Sequence, residues 1–363
     1  MIEKMVPKLI RATLDNDIRT VRSIATRMVR QMRQTHPEIA EEIAQALDFH
    51  GVGISTRRAF GIDAAPFDDE SKLSLAVVEE PVDCSPPILC DNNQQIVAEF
   101  VNERRNSKKL LSNGLLPPSS ILLVGPPGVG KTHLARYLSG VFKLRLVTLD
   151  LAASISSFLG KTGQNIKMVF EYARNEPSLL FLDEFDAIAK RRDDYSDLGE
   201  LKRIVNVLLK EMEDWPSNSV LIAATNHPDL LDKAIWRRFD RVIELGLPSV
   251  KEREQIIEGQ FNSSSCKEQF SPYYQLISEL TEGYSGSEIC KMADRIKRKT
   301  ILSEIEPLNL VFQELALENK TVGAEFNKLF CKAAKQNTKM SIADLAQLLG
   351  KSRSAVQYYL KGE

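Results

Sequence analysis

The sequence lacks the long apolar run that a membrane-spanning helix requires. No stretch approaches the ~18–20 consecutive apolar residues needed. Acidic and basic residues occupy positions 1–12, where the apolar core of a secretory signal would lie. We therefore expect a cytoplasmic protein without membrane contact.

Cysteine is scarce, and no cysteine belongs to a recognisable metal or redox motif. The five cysteines are scattered, without a Cys-x-x-Cys pair or a histidine at metal-ligand spacing. We expect reduced thiols. Neither H-E-x-x-H nor G-x-S-x-G occurs, so no protease centre is indicated.

Charge of one sign is not in excess either, since the net charge of −1 points to no particular partner. The hydrophobic and charged fractions, 43% and 27%, are those of an ordinary soluble protein. Because single domains usually span about 100–200 residues, 363 residues predict two to four structural units.

The apolar pattern divides the chain. Residues 1–50 have helical periodicity and predict a small helical adaptor, while 51–87 are rich in Gly and Pro and predict a linker. Further on, short apolar strands alternate with helical stretches, and after Pro248 the pattern is helical only. This alternation predicts an α/β fold with a parallel sheet flanked by helices. The predicted strands are 121–124, 144–149, 179–182, 220–224 and 241–245.

A glycine-rich segment follows the first of these strands. It consists of Gly125, Pro126, Pro127, Gly128, Val129, Gly130, Lys131 and Thr132. The segment fits G-x-x-x-x-G-K-[ST] and opens a predicted helix, whose N-terminus adds positive potential for phosphates. Lys131 is expected to reach the β- and γ-phosphates and Thr132 to bind Mg²⁺, which makes ATP and Mg²⁺ the expected cofactors.

Two carboxylates, Asp183 and Glu184, follow the strand at 179–182. Strand ends in such sheets face the nucleotide crevice. We expect Asp183 to hold the magnesium ion through water, and Glu184 to polarise the attacking water as a general base. The alternative is a capping acid pair after a buried strand. Asp186 is interpreted as structural.

A third strand, 220–224, ends in Thr225 and Asn226, which places an amide beside the two acids. With this motif the chain resembles the AAA+ family of P-loop ATPases, over about residues 88–305. The resemblance implies that Asn226 orients the water or contacts the γ-phosphate, although an isolated Asn after a strand is usually a turn former. It also implies an ATPase core, predicted at 88–248, and a helical lid, predicted at 249–312. The helical pattern alone predicts the tail at 313–363.

The segment 234–241 resembles the RFDR segment of that family, whose arginines reach the ATP of the neighbouring subunit. The resemblance implies that Arg238 and Arg241 are catalytic in trans, where such a group is worth roughly 10³–10⁵ in rate. Arg237 stands where glycine is usual and could share the role. A trans arginine requires a homo-oligomer, with a hexamer as the default.

Residues 283–289 resemble the start of the lid helix of the family, which implies that Gly286 and Ser287 contact the nucleotide. Ser285 and Glu288 have capping-box spacing, so the alternative is simply a well-capped helix.

Phe158, Leu159 and Gly160 resemble the pore loop of classical AAA unfoldases. Such side chains grip varied peptides through apolar contact, whereas a DNA translocase favours basic residues. A polypeptide substrate is therefore favoured. The alternative is a buried Phe in an ordinary turn.

The C-terminal residues 341–360 resemble a bacterial helix-turn-helix, with Gly350 in the turn. The segment 320–363 carries eight Lys or Arg against three acids, a net charge of +5, which favours phosphate contact. Such helix pairs also serve as plain packing units, so DNA binding stays open. The residues expected to pack the helices are Leu345, Leu349, Val356 and Tyr359, and those expected to be available to a major groove are Ser352, Arg353, Ser354, Gln357 and Tyr358.

The leading hypothesis is a hexameric ATPase that unfolds, disassembles or threads a protein client, with a separate protease or effector supplying any proteolysis. The rival hypothesis is a DNA-associated ATPase switch that does not thread polypeptide. A nucleotide-binding scaffold without turnover is disfavoured because Glu184, Asn226 and the arginines are all present.

Overall fold

The computed structural model describes Pro7, Pro66 and residues 74–157, 162–190, 198–262, 264, 266–303, 305–318, 324–338 and 340–361. Apart from Pro7, these residues belong to one compact unit, Ala65–Glu363. Nearly all of the predicted adaptor, much of the predicted linker and the predicted pore-loop residues Phe158, Leu159 and Gly160 lie outside the described residues.

A six-stranded sheet forms the centre of the first half, in the order β1-β3-β4-β5-β2-β6. Its strands are β1 (Val77–Glu79), β2 (Ser120–Val124), β3 (Arg145–Asp150), β4 (Ser178–Asp183), β5 (Val220–Thr225) and β6 (Arg241–Glu244). Strands β2 to β6 are parallel, and β1 is antiparallel to β3. The predicted parallel sheet with flanking helices is therefore confirmed.

Helices cover both faces of this sheet. They are α1 (Asp91–Arg105), α2 (Ser107–Ser112), α3 (Lys131–Phe142), α4 (Leu151–Ser157), α5 (Thr162–Asn175), α6 (Ala187–Lys190), α7 (Leu198–Glu213) and α8 (Lys233–Trp236). Successive side chains of a strand point to opposite faces. Accordingly Leu122 and Val124 of β2 join one core, and Ile121 and Leu123 join the other. Burial on both faces explains why β2, β4 and β5 are almost continuously apolar.

Strand β1 lies within the segment 51–87 that was predicted as linker. It has three residues, of which Val77 is opposite Thr148 of β3. The chain after β1 passes close to α3, where a Cβ on Gly140 would lie 2.5 Å from the carbonyl oxygen of Val82. This close approach requires glycine at position 140, and it fixes the segment against the sheet.

The second half of the described chain is helical, as the sequence predicted. Its helices are α9 (Val250–Asn262), α10 (Lys267–Phe270), α11 (Tyr274–Leu280), α12 (Gly286–Leu302), α13 (Pro307–Glu318), α14 (Ala324–Asn337), α15 (Ile342–Leu349) and α16 (Arg353–Lys361). One hydrophobic core joins them from Ile257 in α9 to Val356 in α16. Helix α13 crosses the lid–tail boundary predicted at residue 312, so the lid and tail segments share a single core.

None of the helices in the described ranges has both the length and the apolar character that crossing a membrane requires.

Candidate active site

Three strands end at the candidate site, which lies at one edge of the sheet. Because β4, β5 and β2 are parallel neighbours, their carboxyl ends meet at the same edge. Gly125, Asp183 and Asn226 follow β2, end β4 and follow β5, respectively. The three motifs found separately in the sequence therefore come together in space.

The glycine-rich segment forms a tight loop between β2 and α3. Gly125, Gly128 and Gly130 all have positive φ, at 154°, 81° and 101°. A Cβ on Gly125 would lie 2.0 Å from the carbonyl oxygen of Leu245, so only glycine fits there. The loop leads directly into the N-terminus of α3, a position that favours anionic phosphate groups.

Lys131 lies at the centre of this edge and is only 8% exposed. Its Nζ donates to the carbonyl oxygens of Gly125 and Pro126, at 2.7 and 2.9 Å, and to Oδ1 of Asn226 at 2.7 Å. Burial lowers the pKa of Lys131, and the carboxylates of Asp183 and Asp186 oppose that shift. The lysine is thus fixed by the loop and by the neighbouring strand.

Asp183 ends β4 beside Asp150, its register partner in β3. Burial raises the pKa of Asp183 and the charge of Asp150 adds to the increase, while the backbone N–H of Glu184 and the ammonium of Lys131 oppose it. The half-buried carboxylate of Asp183 and the hydroxyl of Thr132, at the start of α3, are oxygen donors of the kind that Mg²⁺ prefers.

Glu184 has a left-handed backbone conformation, with φ 51°, and an exposed side chain. This conformation is uncommon for a residue other than glycine, and it costs of order 1 kcal/mol or more. The backbone N–H of Glu184 donates to Oδ1 of Asp183 at 2.9 Å. Asp183 is thus half-buried, whereas the adjacent Glu184 is exposed.

Asn226 reaches the site through a network that the sequence did not reveal. Its side chain accepts the Lys131 hydrogen bond, and its backbone N–H donates to Oδ1 of Asp186 at 3.2 Å. The Thr225 hydroxyl donates to the same Asp186 oxygen at 3.1 Å. Asp186 is fully buried, and an acid three residues after Asp183 was the signal that could have identified it.

The N-terminus of α12 contacts the glycine-rich loop. Ser285 and Glu288 form the capping box that their spacing indicated. The backbone N–H of Ser287 donates to the carbonyl oxygen of Gly128 at 2.9 Å. A Cβ on Gly128 would lie 2.7 Å from Oγ of Ser285, and a Cβ on Gly286 would lie 3.5 Å from the Gly128 oxygen. Gly286 and Ser287 therefore lie against the glycine loop.

The arginines predicted to act in trans lie at the other edge of the sheet. Arg241 begins β6 opposite Ile121, and its Nη2 donates to both carboxylate oxygens of Glu103 at 3.1 Å. Arg238 forms an ion pair with Glu213, and Arg237 is exposed.

Asp240 holds the arginine-bearing turn in place. Its carboxylate accepts hydrogen bonds from the backbone N–H groups of Ser119 and Ser120, at 2.7 and 3.0 Å. These contacts attach the turn to the start of β2, at the amino edge of the sheet.

The tail helices show the inward and outward faces that the sequence pattern suggested. Leu345 and Val356 are buried, and Leu349 and Tyr359 pack partly against the same core. Gly350 ends α15 with φ 61°. The exposed positions include Ser352, Arg353, Ser354, Gln357 and Tyr358.

Comparisons with known proteins agree with this geometry. The model of the "ATPase family associated with various cellular activities (AAA)" matches residues 121–247. The AAA family ATPase y4kL of Sinorhizobium fredii is 35% identical over 237 residues, which cover 65% of this chain and 71% of that protein. The ATP-dependent zinc metalloprotease FtsH of Haemophilus influenzae is 35% identical over 228 residues, 58% of this chain but only 35% of FtsH.

Among solved structures, the FIGL-1 AAA domain superposes with a TM-score of 0.56 at 20% identity, covering 80% of this chain and all of that one. Its complex with ADP gives a TM-score of 0.57 and covers 77% of this chain. These structures show the same fold. Together with the sequence identity to y4kL, the loop, the acidic strand end and the lid establish that the chain belongs to the AAA family of ATPases.

Proposed function

We propose that the protein assembles into a cytoplasmic hexameric ring, in which arginines of one protomer complete the ATP site of the next, and that the ring remodels, unfolds or threads a protein client.

The separation between the two edges of the sheet supports the shared site. Arg241 is opposite Ile121, whereas the glycine loop starts at Gly125, roughly 13 Å further along the strand at about 3.3 Å per residue. The carbonyl oxygen of Arg238 accepts a hydrogen bond from Oγ of Ser120, which also places it at the start of β2. An arginine side chain is too short to cover that distance to its own loop.

In the proposed reaction each residue has one role. Lys131 binds the β- and γ-phosphates, Glu184 polarises the attacking water, and Asn226 orients that water or contacts the γ-phosphate. Thr132 and Asp183 would hold Mg²⁺, which neutralises phosphate charge when bound. Arg238 and Arg241 of the neighbouring protomer would stabilise the charge that develops in the transition state.

A polypeptide client is supported by the sequence pattern Phe158, Leu159, Gly160 and by the likeness to FtsH, which is named an ATP-dependent metalloprotease. The chain spans about a third of FtsH and has no H-E-x-x-H motif. We therefore propose remodelling by this chain, with any peptide cleavage carried out by a separate partner.

For the organisation of the chain we propose an adaptor at 1–50, a linker at 51–87, the ATPase core at 88–248, the lid at 249–312 and the tail at 313–363. The adaptor and the tail would select the client, and the core and lid would form the motor.

The test is whether polypeptide controls ATP turnover. A permanently unfolded model polypeptide should stimulate ATP hydrolysis by the wild-type protein and by Phe158→Tyr, which keeps the aromatic ring. Phe158→Ala should retain basal hydrolysis and lose the stimulation. Equal stimulation of all three proteins would contradict the threading model.

A second candidate is a DNA-associated ATPase switch. It is supported by the exposed Arg353, Gln357 and Tyr358 on α16 and by the net charge of +5 over residues 320–363. This candidate predicts that duplex DNA, rather than unfolded polypeptide, changes the rate of hydrolysis. Arg353→Ala should abolish that response, while Phe158→Ala should have little effect.

A further inference from the structure

We propose that Asp186 is a positioning residue for hydrolysis, which holds the end of β5 so that the Asn226 side chain faces Lys131. This inference rests on the proposed role of Asn226. Asp186 does not contact the reacting atoms itself, and its positioning effect would pass through Asn226.

The contacts of Asp186 place it between two strand ends. It follows β4 by three residues, yet one of its oxygens accepts from both the Thr225 hydroxyl and the Asn226 backbone N–H, at 3.1 and 3.2 Å. A second connection runs in parallel, because the backbone N–H of Phe185 donates to the carbonyl oxygen of Ala224 at 2.8 Å. The segment after β4 therefore determines the path of the chain as it leaves β5.

The same network continues to the glycine loop. Oδ1 of Asn226 accepts from Nζ of Lys131 at 2.7 Å, and the Thr225 hydroxyl accepts from the backbone N–H of His227 at 3.0 Å. The backbone of Asn226 is thus fixed on both sides of its Cα, and the hydrogen bond from Lys131 sets the direction of its side chain. That direction points to the lysine that binds phosphate.

The free-energy cost of burying the Asp186 carboxylate indicates that this group serves to position the chain around it. Placing a carboxylate at a site with 0% exposure costs several kcal/mol unless hydrogen bonds and nearby charge offset the loss of water. An apolar residue of similar size would fill the space at lower cost. What the carboxylate adds is two directed hydrogen bonds to the chain that carries Asn226.

A double-mutant cycle tests whether Asp186 acts through Asn226. Because a displacement of about 1 Å at a reacting centre can cost about 10²-fold, Asp186→Ala and Asn226→Ala should each lower kcat by about 10²-fold. The dissociation constant for ATP should change by less than about threefold in each, since the glycine loop and Lys131 would hold the phosphates in the ground state. The double variant should lose about 10²-fold as well, instead of the ~10⁴-fold that independent effects would give.

Two further variants separate positioning from folding, with kcat measured well below each unfolding midpoint. Asp186→Asn keeps an acceptor oxygen and should retain kcat within about tenfold of wild type. Glu314→Gln removes a different buried carboxylate, in α13, and its small effect on kcat should combine multiplicatively with that of Asn226→Ala.

The results distinguish this inference from the function that it rests on. Multiplicative losses for Asp186→Ala and Asn226→Ala, a wild-type kcat in Asp186→Ala, or an Asp186→Asn variant as impaired as Asp186→Ala would each overturn the positioning role alone. A wild-type kcat in Asn226→Ala would overturn the role of Asn226 and the inference together.

Discussion

The two edges of the sheet carry their charged groups in opposite ways. At the carboxyl edge, Lys131 is 8% exposed and is held by the glycine loop and Asn226. At the amino edge, the side chains of Arg238 and Arg241 are 40% and 35% exposed, and each pairs with a glutamate of the same chain. The central charge of the carboxyl edge is buried and held by other groups of the chain, whereas the charges of the amino edge remain within reach of solvent.

This difference in exposure would allow one chain to contribute to two ATP sites. Exposed ion pairs contribute only about 0–1 kcal/mol to stability, so Arg238 can exchange Glu213 for another anion at little cost. The carboxyl edge cannot rearrange so cheaply, because Lys131 is buried and its partners are fixed by strands β2 and β5. We infer that the carboxyl edge binds ATP and that the amino edge completes the ATP site of a neighbouring protomer.

The largest effect is expected from removing an exposed arginine of the amino edge. Arg238→Ala should reduce ATP turnover by roughly 10³–10⁵-fold while ATP still binds, because transition-state charge loses its stabilising cation. Arg136→Ala is the matched control, since Arg136 is also exposed and paired with a glutamate, Glu79. A steady-state assay that finds equal turnover in both variants would remove the distinction between the edges.

The next largest effect on turnover is expected from Glu184, at the carboxyl edge. Glu184→Gln should reduce turnover by roughly 10²–10⁴-fold, because an amide cannot take the proton of the attacking water. ATP affinity, measured by calorimetry, should be unchanged. The exposed Glu171→Gln serves as control, and weakened ATP binding in Glu184→Gln would show that this residue belongs to the binding set instead.

A smaller effect is expected from alanine at Gly128. Comparison with a second glycine separates the overlap with Ser285 from the cost of positive φ. Alanine at Gly128 should cost about 1–2 kcal/mol for its positive φ, and more for its overlap with Ser285, with weaker ATP binding as a consequence. Gly114 has a similar φ of 75° and open space around it, so Gly114→Ala should show the φ cost alone. Equal losses in unfolding midpoint for both variants would mean that the lid does not depend on this contact.

The smallest effect is expected from a buried glutamate of α13, which belongs to neither edge of the sheet. Glu314 is 2% exposed and pairs with Arg295 and Lys299. Although burial alone would raise its pKa, the hydrogen bonds from these cations hold the pKa below its ordinary value. Glu314→Gln should therefore cost about 2 kcal/mol at pH 7, less than for a fully buried pair because both cations reach solvent.

The pH dependence of that cost follows from the direction of the shift. A lowered pKa in the folded state stabilises the protein above the ordinary glutamate pKa of about 4.3, and that stabilisation is lost as the pH falls through the folded-state value. The difference between wild type and Glu314→Gln in thermal unfolding should thus shrink below about pH 4. A constant difference from pH 7 to pH 3 would contradict the assignment.

The sequence predicts the carboxyl edge well because its signals are local. A strand of apolar residues followed by Gly125, Asp183 or Asn226 specifies both the strand and the polar group at its end, and parallel pairing brings these ends together. The positive φ of the loop glycines belongs to the same kind of local information.

The contacts of the arginines at the amino edge could not be predicted from the sequence. The ion pairs of Arg241 with Glu103 and of Arg238 with Glu213 join residues 138 and 25 positions apart, and no periodicity encodes such pairs. Strand β1 was missed for a similar reason, because three residues adopt strand geometry only through pairing with β3. For Asp186 the sequence offers only its position three residues after Asp183, which does not reveal that its carboxylate is buried against the end of β5.

The most direct test of the shared site is subunit mixing. Lys131→Ala and Arg238→Ala should each be inactive alone, but in randomly mixed rings about a quarter of the interfaces combine an intact loop with an intact arginine from the next protomer. We predict that the mixture, shown to be co-assembled, hydrolyses ATP well above the sum of the separate variants. Turnover equal to that sum would contradict the account, because it would mean that each ATP is hydrolysed by groups of one chain.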